Sequence, residues 1–214
     1  ETIQDLDQDF DEDNLDQHTH SVIFMIGCIT MYEVNNNEYH REFKTFTAKS
    51  LTSSNEKQIC ADWIHYMAKF QELMRIESPP PIFHWSCAEP SIYQSLQKRH
   101  PSVFPSLHFV DLLTVFKQEP IVVKNAFSYN LKDISRSLHH HGLISTLWED
   151  NVVDGKDAMI QAWTCYMSAV PHTSRALLSN STPSSQEVMS HIEKYNYVDC
   201  KVLDEILLFL RTMC

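Results

Sequence analysis

Glycine is scarce in this sequence, with three residues among 214, at positions 27, 142 and 155. Loops that cradle a phosphate need clustered glycines, because only then can several backbone amides approach the ligand. No such cluster is present, which excludes a P-loop and a dinucleotide-binding turn. The six cysteines include no Cys-x-x-Cys pair and fall mostly within apolar runs. This pattern argues against a zinc cluster or a disulfide framework and is typical of reduced cysteines.

Long hydrophobic runs are also missing. No segment approaches the roughly 18 to 20 apolar residues that a membrane helix needs, and the sequence has neither an initiating Met nor a basic signal segment. We therefore expect no membrane contact, a place in the nucleus or cytoplasm, and a longer parent polypeptide or complex. The chain is long enough for one α/β domain with a sizeable core, which we assign to residues 1–214.

Lysine and arginine are absent from the first twenty residues, which carry eight acidic side chains. These acids account for most of the net charge of -11, so the remainder of the chain is nearly neutral. We interpret residues 1–20 as an acidic, solvated loop. A nearly neutral remainder permits a local basic patch for nucleic acid but does not by itself indicate one.

Two apolar stretches near the start predict a β-hairpin. Residues 21–32 form a continuous apolar run of strand length, and residues 38–48 alternate more loosely and are rich in Phe and Thr. Three asparagines at 35–37 are typical of the turn between them. Because the first run is apolar throughout, we expect its strand to be buried on both faces.

A helix and a strand–helix unit follow the hairpin. Ser53 and Glu56 have the spacing of a capping box at the start of a long helix, which three prolines at 79–81 would end. Residues 82–86 predict a short interior strand, and Glu89 lies just beyond it at the start of another helix. Ligands of open α/β sheets bind at this carboxyl edge, so Glu89 is a candidate site residue.

The last helix carries the most informative pattern. After a predicted loop at 171–186, apolar residues recur every three or four positions, as on a buried helical stripe; they are Val188, Ile192, Val202, Ile206 and Leu210. Tyr195 and Asp199 lie on the same stripe, one turn apart. A buried, ionised Asp needs a compensating cation. We therefore predict a metal ion beside Asp199.

The order of elements predicts an α/β fold with a mixed sheet. Within that frame the chain resembles the DEDD exonuclease superfamily, in its ribonuclease H-like group with a tyrosine in the last motif. Glu1-Thr2 and the run at 23–27 are similar to that family's first motif, Asp-x-Glu-Thr, and the hairpin after it. Glu89 stands where the second motif has an acid, commonly Asp. Residues 195–200 resemble the third motif, Tyr-Asn-x-x-Asp-Cys.

The resemblance implies a ribonuclease H-like fold, with a mixed central sheet flanked by helices and its first strand, ending in the leading Asp, upstream of Glu1. It also implies a 3'-5' exonuclease acting on DNA or RNA with two Mg²⁺ or Mn²⁺ ions. Glu1 and Asp199 would hold the ion that activates water, Glu89 would support the second ion, and Tyr195 would orient the attacking water.

Other interpretations of these residues stay open. Asp199 is compatible with an ion pair to a Lys or Arg, Tyr195 with a core tyrosine, and Glu89 with a first-turn acid stabilised by the helix dipole. The domain as a whole could be a non-catalytic nucleic-acid-binding or scaffolding part of a larger replication or mobile-element protein, or the proofreading domain of a polymerase. The three histidines at 139–141 point in three directions on a helix, so we expect a polar helix end rather than a metal site.

Overall fold

The computed structural model describes residues 2–4, 21–35, 38–101, 103–148, 155–168 and 185–213. In this part of the chain four strands come first, strands and helices alternate in the middle, and helices end the order: β1 (Thr2–Gln4), β2 (Ser21–Ile23), β3 (Met25–Asn35), β4 (Glu38–Thr47), α1 (Ser53–Met74), β5 (Ile82–His84), α2 (Ala88–Arg99), β6 (Phe109–Asp111), α3 (Leu112–Gln118), α4 (Leu131–His140), α5 (Gly155–Ser168) and α6 (Ser185–Thr212). None of these helices is long and apolar enough to cross a membrane.

The predicted hairpin is present as β3 and β4, with Met25 opposite Thr47 in the antiparallel register. Its first strand is interrupted at the fully buried Phe24, whose carbonyl accepts a hydrogen bond from the Ala48 N–H at 2.8 Å. Beyond Met25 the strand is half-buried or exposed, so the expectation of burial on both faces is wrong. That expectation failed because the burial of each face of a strand depends on which elements pack against it, and not on the composition of the strand alone.

Of the predicted acidic loop at 1–20, only residues 2–4 are among the described residues, and these differ from the prediction. Thr2–Gln4 form β1, which pairs antiparallel with β2, so that Thr2 lies opposite Ile23. Thr and Ile favour strands, and β2 offers backbone groups that a short segment can pair with. Of the predicted loop at 171–186, residues 171–184 lie outside the described residues, and its last two residues are instead the start of α6 at Ser185.

The strands form three two-stranded sheets, β1–β2, β3–β4 and β5–β6, where we predicted a single mixed central sheet. Within the described ranges, no strand hydrogen-bonds to both the hairpin and the parallel pair β5–β6, so the mixed α/β class is present and the single central sheet stays a prediction. A strand joins two neighbours only if both of its edges are paired, and each of these strands has one partner. The further strand expected upstream of Glu1 stays a prediction.

The strands β5 and β6 run parallel, so their carboxyl ends lie side by side at one edge. His84 at the end of β5 lies opposite Asp111 at the end of β6. Asp111 also caps α3, because its carboxylate accepts hydrogen bonds from the Leu113 N–H at 2.9 Å and the Ser86 N–H at 2.8 Å. Burial acts to raise the pKa of Asp111, but these bonds and one from Thr114 outweigh it and lower that pKa. Asp111 therefore has a structural role.

Helix α1 begins and ends differently from the prediction. Its N-cap is Thr52, whose hydroxyl accepts from the Asn55 N–H, and not Ser53 in a capping box with Glu56. It ends at Met74, where Arg75 adopts a left-handed conformation with φ 53°, before the prolines at 79–81. A left-handed residue is a common helix end, since it turns the chain while satisfying the last carbonyls.

Glu56 is fully buried and holds three elements together. One carboxylate oxygen accepts the Ile23 N–H at 2.8 Å and the Arg99 Nη2 at 2.5 Å, while the other faces His100 Nε2 at 3.3 Å. A buried charge is tolerated when it is paired and hydrogen-bonded in this way. The network fixes β2 and the end of α2 on the first turn of α1.

Helix α6 spans both hydrophobic cores of the described chain. Val188 and Ile192 belong to the core under the hairpin and α1, whereas Val202 and Ile206 belong to the core formed with α3 and α4. All five residues of the predicted apolar stripe are buried, which confirms it. The two predicted polar residues of that stripe lie in the helical turns between the two cores.

Helix α6 approaches β3 closely at a glycine. A Cβ atom on Gly27 would lie 1.6 Å from Asn196 Oδ1 and 2.7 Å from Asn196 Cγ. No side chain fits in that space unless Asn196 moves, so the absence of a side chain at Gly27 sets how deeply α6 packs on the hairpin. Asn196 is next to Tyr195, and this contact therefore also positions the candidate site.

Candidate functional site

A cavity of about 480 Å³ opens beside the middle of α6. Three of the four predicted site residues line it, namely Glu89 from α2 and Tyr195 and Asp199 from α6. They are brought together from parts of the chain that are more than a hundred residues apart. Glu1, the fourth predicted residue, lies outside the described residues.

Asp199 is half-buried at the cavity wall and is held by an indole. The Trp148 Nε1–H donates to Asp199 Oδ1 at 2.7 Å. Trp148 also lines the cavity and belongs to the stretch that follows α4. Sequence reasoning missed this residue, because a single Trp in an irregular segment has no periodicity and no motif that would link it to Asp199.

Glu89 lies in the first turn of α2, just beyond β5. Loss of hydration raises the pKa of its carboxyl group, although 51% of its side-chain surface is exposed. Its own backbone amide and His84 act in the opposite direction without cancelling that rise. The first turn of a helix suits a carboxylate, and the cavity gives this one access to a ligand.

Tyr195 is buried, with 8% of its surface exposed, one helical turn before Asp199. Its ring lies 5.9 Å from the Lys132 ammonium, which is also 5.8 Å from the ring of Trp148. Such distances allow an attraction between the cation and the faces of both rings. Tyr195 is thus a cavity residue as well as part of the helix packing, and these two interpretations are compatible.

Two cations line the same cavity as the acids. Lys132 and Arg136 lie one turn apart on α4 and both line the cavity. Asn130 fixes the start of that helix by accepting the Asp133 N–H at 2.7 Å. The sequence alone does not distinguish either cation from a solvated side chain, since neither lies in one of the three family motifs.

The chemistry of this donor set fits a hard divalent cation in part. Mg²⁺ and Mn²⁺ prefer carboxylate oxygens, and Glu89 and Asp199 present carboxylates to one cavity. No group of three or more His, Cys, Asp or Glu side chains is placed to hold a metal ion in the portion of the chain that the structure describes. Glu1, the third predicted ligand, falls outside that portion. The histidines at 139–141 form no such group either.

Comparison with known families gives one finding. The family model of the RNase H superfamily matches residues 8–210, a span that contains Glu89, Tyr195 and Asp199. Comparison with curated proteins and with solved structures gives no match.

Proposed function

Because the chain belongs to the RNase H superfamily, we propose that it is a metal-dependent nuclease of the DEDD type that removes nucleotides from the 3' end of DNA or RNA. Membership of the superfamily indicates a nuclease-type function on a nucleic-acid substrate. The observation that carries the finer proposal is the meeting of Glu89, Tyr195 and Asp199 at one cavity within the matched span. We further propose that it works as part of a longer polypeptide in the nucleus or cytoplasm.

The acids of the cavity would hold the metal ions. In the proposal Glu89 and Asp199 bind Mg²⁺ or Mn²⁺ together with Glu1, since carboxylates are the ligands that these ions take. When bound, two such ions supply an activated water and neutralise charge on the phosphoryl oxygens. Trp148 holds one Asp199 oxygen by a hydrogen bond and so limits the rotation of that carboxylate.

Tyr195 would position the attacking water. Its side chain lines the cavity one turn from Asp199, so its phenol group belongs to the same surface as the acid. A phenol both donates and accepts a hydrogen bond, which suits the orientation of a water molecule beside a phosphodiester. Burial of the ring fixes its place, which reduces the entropy lost when substrate binds.

Lys132 and Arg136 would bind the substrate backbone. Their charges lie on the α4 side of the cavity and can neutralise phosphates next to the bond that is cleaved. An arginine also donates two parallel hydrogen bonds to a phosphate. Contacts of this kind read the backbone rather than the bases, so they predict little sequence preference.

A second candidate function is binding without catalysis. It is favoured by one observation: the described residues bring three carboxylates (Glu89, Asp133 and Asp199) and two cations to the cavity, but no group of three metal-ligating side chains is placed to hold an ion. Such a domain would bind nucleic acid through Lys132 and Arg136 and serve as a scaffold in a larger replication or mobile-element protein.

The two candidates are separated by an assay on the full-length protein. A single-stranded DNA or RNA labelled at its 5' end is incubated with Mg²⁺, with Mn²⁺ or with EDTA, beside the same strand with a blocked 3' end. The proposal expects a ladder of progressively shorter products with either metal, and none with EDTA or the blocked end. Binding without any shortening in Mg²⁺ and Mn²⁺ would contradict catalysis and support the second candidate.

A further inference from the structure

His84 is a buried polar side chain whose role the proposed chemistry does not yet explain. It is the last residue of β5, with 4% of its surface exposed, and its ring packs edge-on against Phe109 at 5.6 Å between centroids. Its Nδ1 atom is buried and forms no hydrogen bond. A buried nitrogen without a partner is unfavourable, and a protonated Nδ1 at this position needs an acceptor.

The carboxylate of the nearest strand partner already accepts three other hydrogen bonds. Asp111 lies opposite His84 in the parallel register, but its Oδ1 already accepts the N–H groups of Ser86 and Leu113. Its Oδ2 accepts the Thr114 hydroxyl at 2.9 Å. These bonds cap α3, and so the geometry of that carboxylate is fixed by the helix.

Glu89 is the other carboxylate within reach. Its Oε2 lies 3.8 Å from His84 Nδ1, about 1 Å beyond a charge-assisted hydrogen bond. Half of the Glu89 side chain is exposed, so the carboxylate has room to rotate toward the imidazole. The rigid partner is His84, which is held by the strand and by Phe109, and the mobile one is Glu89.

We propose that His84 is a positioning residue for the proposed metal site. Its Nδ1–H donates to Glu89 Oε2 and leaves the second oxygen of that carboxylate directed at the cavity. This inference rests on the proposed function, in which Glu89 is a ligand. It explains how a Glu can stand where an Asp is common: the longer side chain has one more rotatable bond, and the imidazole restricts it. Hydrogen bonds to ligating side chains commonly change metal affinity about 10- to 100-fold.

Two amide substitutions test the role of the nitrogen itself. In His84→Asn the amide nitrogen takes the place of Nδ1, whereas in His84→Gln it reaches the place of the other ring nitrogen. Mn²⁺ is titrated into the full-length protein and free Mn²⁺ is followed by electron paramagnetic resonance, with unfolding measured in EDTA. We expect His84→Asn to retain affinity within about threefold and His84→Gln to lose about 10- to 100-fold, at similar unfolding temperatures. Equal affinities in the two variants would overturn the proposal.

Two further measurements separate this inference from the function on which it rests. Glu89→Gln should weaken Mn²⁺ binding, and adding His84→Gln to it should weaken binding no further. If Glu89→Gln binds Mn²⁺ as the unmodified protein does, Glu89 is not a ligand and both proposals fail. Imidazole nitrogen NMR with Mg²⁺ tests the unmodified protein directly and needs no variant to fold. A proton on Nδ1 of His84 is expected, and an unprotonated Nδ1 would overturn the inference alone.

Discussion

The Asp199 carboxylate takes a hydrogen bond from the neutral indole of Trp148. A neutral donor restrains the carboxylate without neutralising the negative charge that the acid is proposed to offer to a metal ion. The same indole also lies under the Lys132 ammonium, at 5.8 Å. The Trp148 side chain thus contacts both Asp199 and Lys132, which makes it an informative position to alter.

Trp148→Phe keeps an aromatic ring near Lys132 but removes the N–H donor to Asp199. We expect metal-dependent nuclease activity to fall about 10- to 100-fold, the range found when hydrogen bonds to metal ligands are lost, with little change in unfolding temperature. Trp163→Phe, on α5 and not lining the cavity, is the matched control and should retain activity. Equal activity in Trp148→Phe and the control would contradict a restraining role for the indole.

Glu205 provides a test of stability against pH. Its carboxylate accepts hydrogen bonds from the backbone and hydroxyl groups of Ser145 and Thr146, at 2.6 to 2.9 Å. Burial acts to raise the pKa of Glu205, but these bonds prevail and lower that pKa below 4.5. Because the folded pKa is depressed, the carboxylate stabilises the fold above about pH 4.5, and this stabilisation is lost as the pH falls through the folded pKa.

Glu205→Gln should therefore lower the free energy of unfolding at neutral pH. The difference from the unmodified protein should shrink as the pH falls below about 4.5. Urea unfolding measured across that range checks both statements. A difference that is the same at neutral and acidic pH would show that the charge of Glu205 does not contribute.

Among the elements, α6 has the largest structural role. Its first turns pack in the core under the hairpin and its last turns in the core of α3 and α4, while the turns between them carry Tyr195 and Asp199. A displacement of this helix against β3 would therefore move the candidate site relative to Glu89. Substitutions at Gly27 and Asn196, where α6 and β3 approach closely, can produce such a displacement.

Gly27→Ala should destabilise the protein by about 1 to 3 kcal/mol, the usual cost of overpacking, which corresponds to a melting temperature lower by roughly 2 to 4 °C per kcal/mol. The added methyl group would meet the Asn196 side chain. Asn196→Ala removes both atoms of that clash, so the double variant should be more stable than the sum of the two single effects predicts. Strictly additive effects in thermal unfolding would show that α6 adjusts without strain.

The spacing of apolar residues predicts those elements that are long enough to show a repeating pattern. The hairpin, α1 and α6 are long enough for their apolar spacing to be read, and the stripe of α6 is buried at all five expected positions. The strand β1 is too short for a repeating pattern, and it forms because it pairs with β2, which is distant in sequence. α3 begins at Leu112, directly after β6, so the apolar run there belongs to a strand and a helix at once. Short elements of this kind are defined by their partners.

At the scale of the whole molecule, the ordered motifs were enough to select Glu89, Tyr195 and Asp199, which the fold places at one cavity. They could not reveal Trp148, because its hydrogen bond to Asp199 joins segments that are distant in sequence. Among the described residues the strands form three pairs, and the single mixed sheet expected from the sequence stays a prediction. The match to the RNase H superfamily model extends over residues 8–210.

The most direct measurement compares two carboxylates on α6 in the full-length protein. Asp199 lines the cavity, whereas Asp204 pairs with Arg41 at 2.6 Å and does not line it. Nucleotide release from a labelled strand is measured with Mg²⁺ or Mn²⁺ for Asp199→Asn and Asp204→Asn. We expect the first to lose more than about 100-fold in rate, beyond the effect typical of residues that only support a ligand, and the second to stay within a few-fold. Equal rates for Asp199→Asn and the unmodified protein would contradict a catalytic metal site at this cavity.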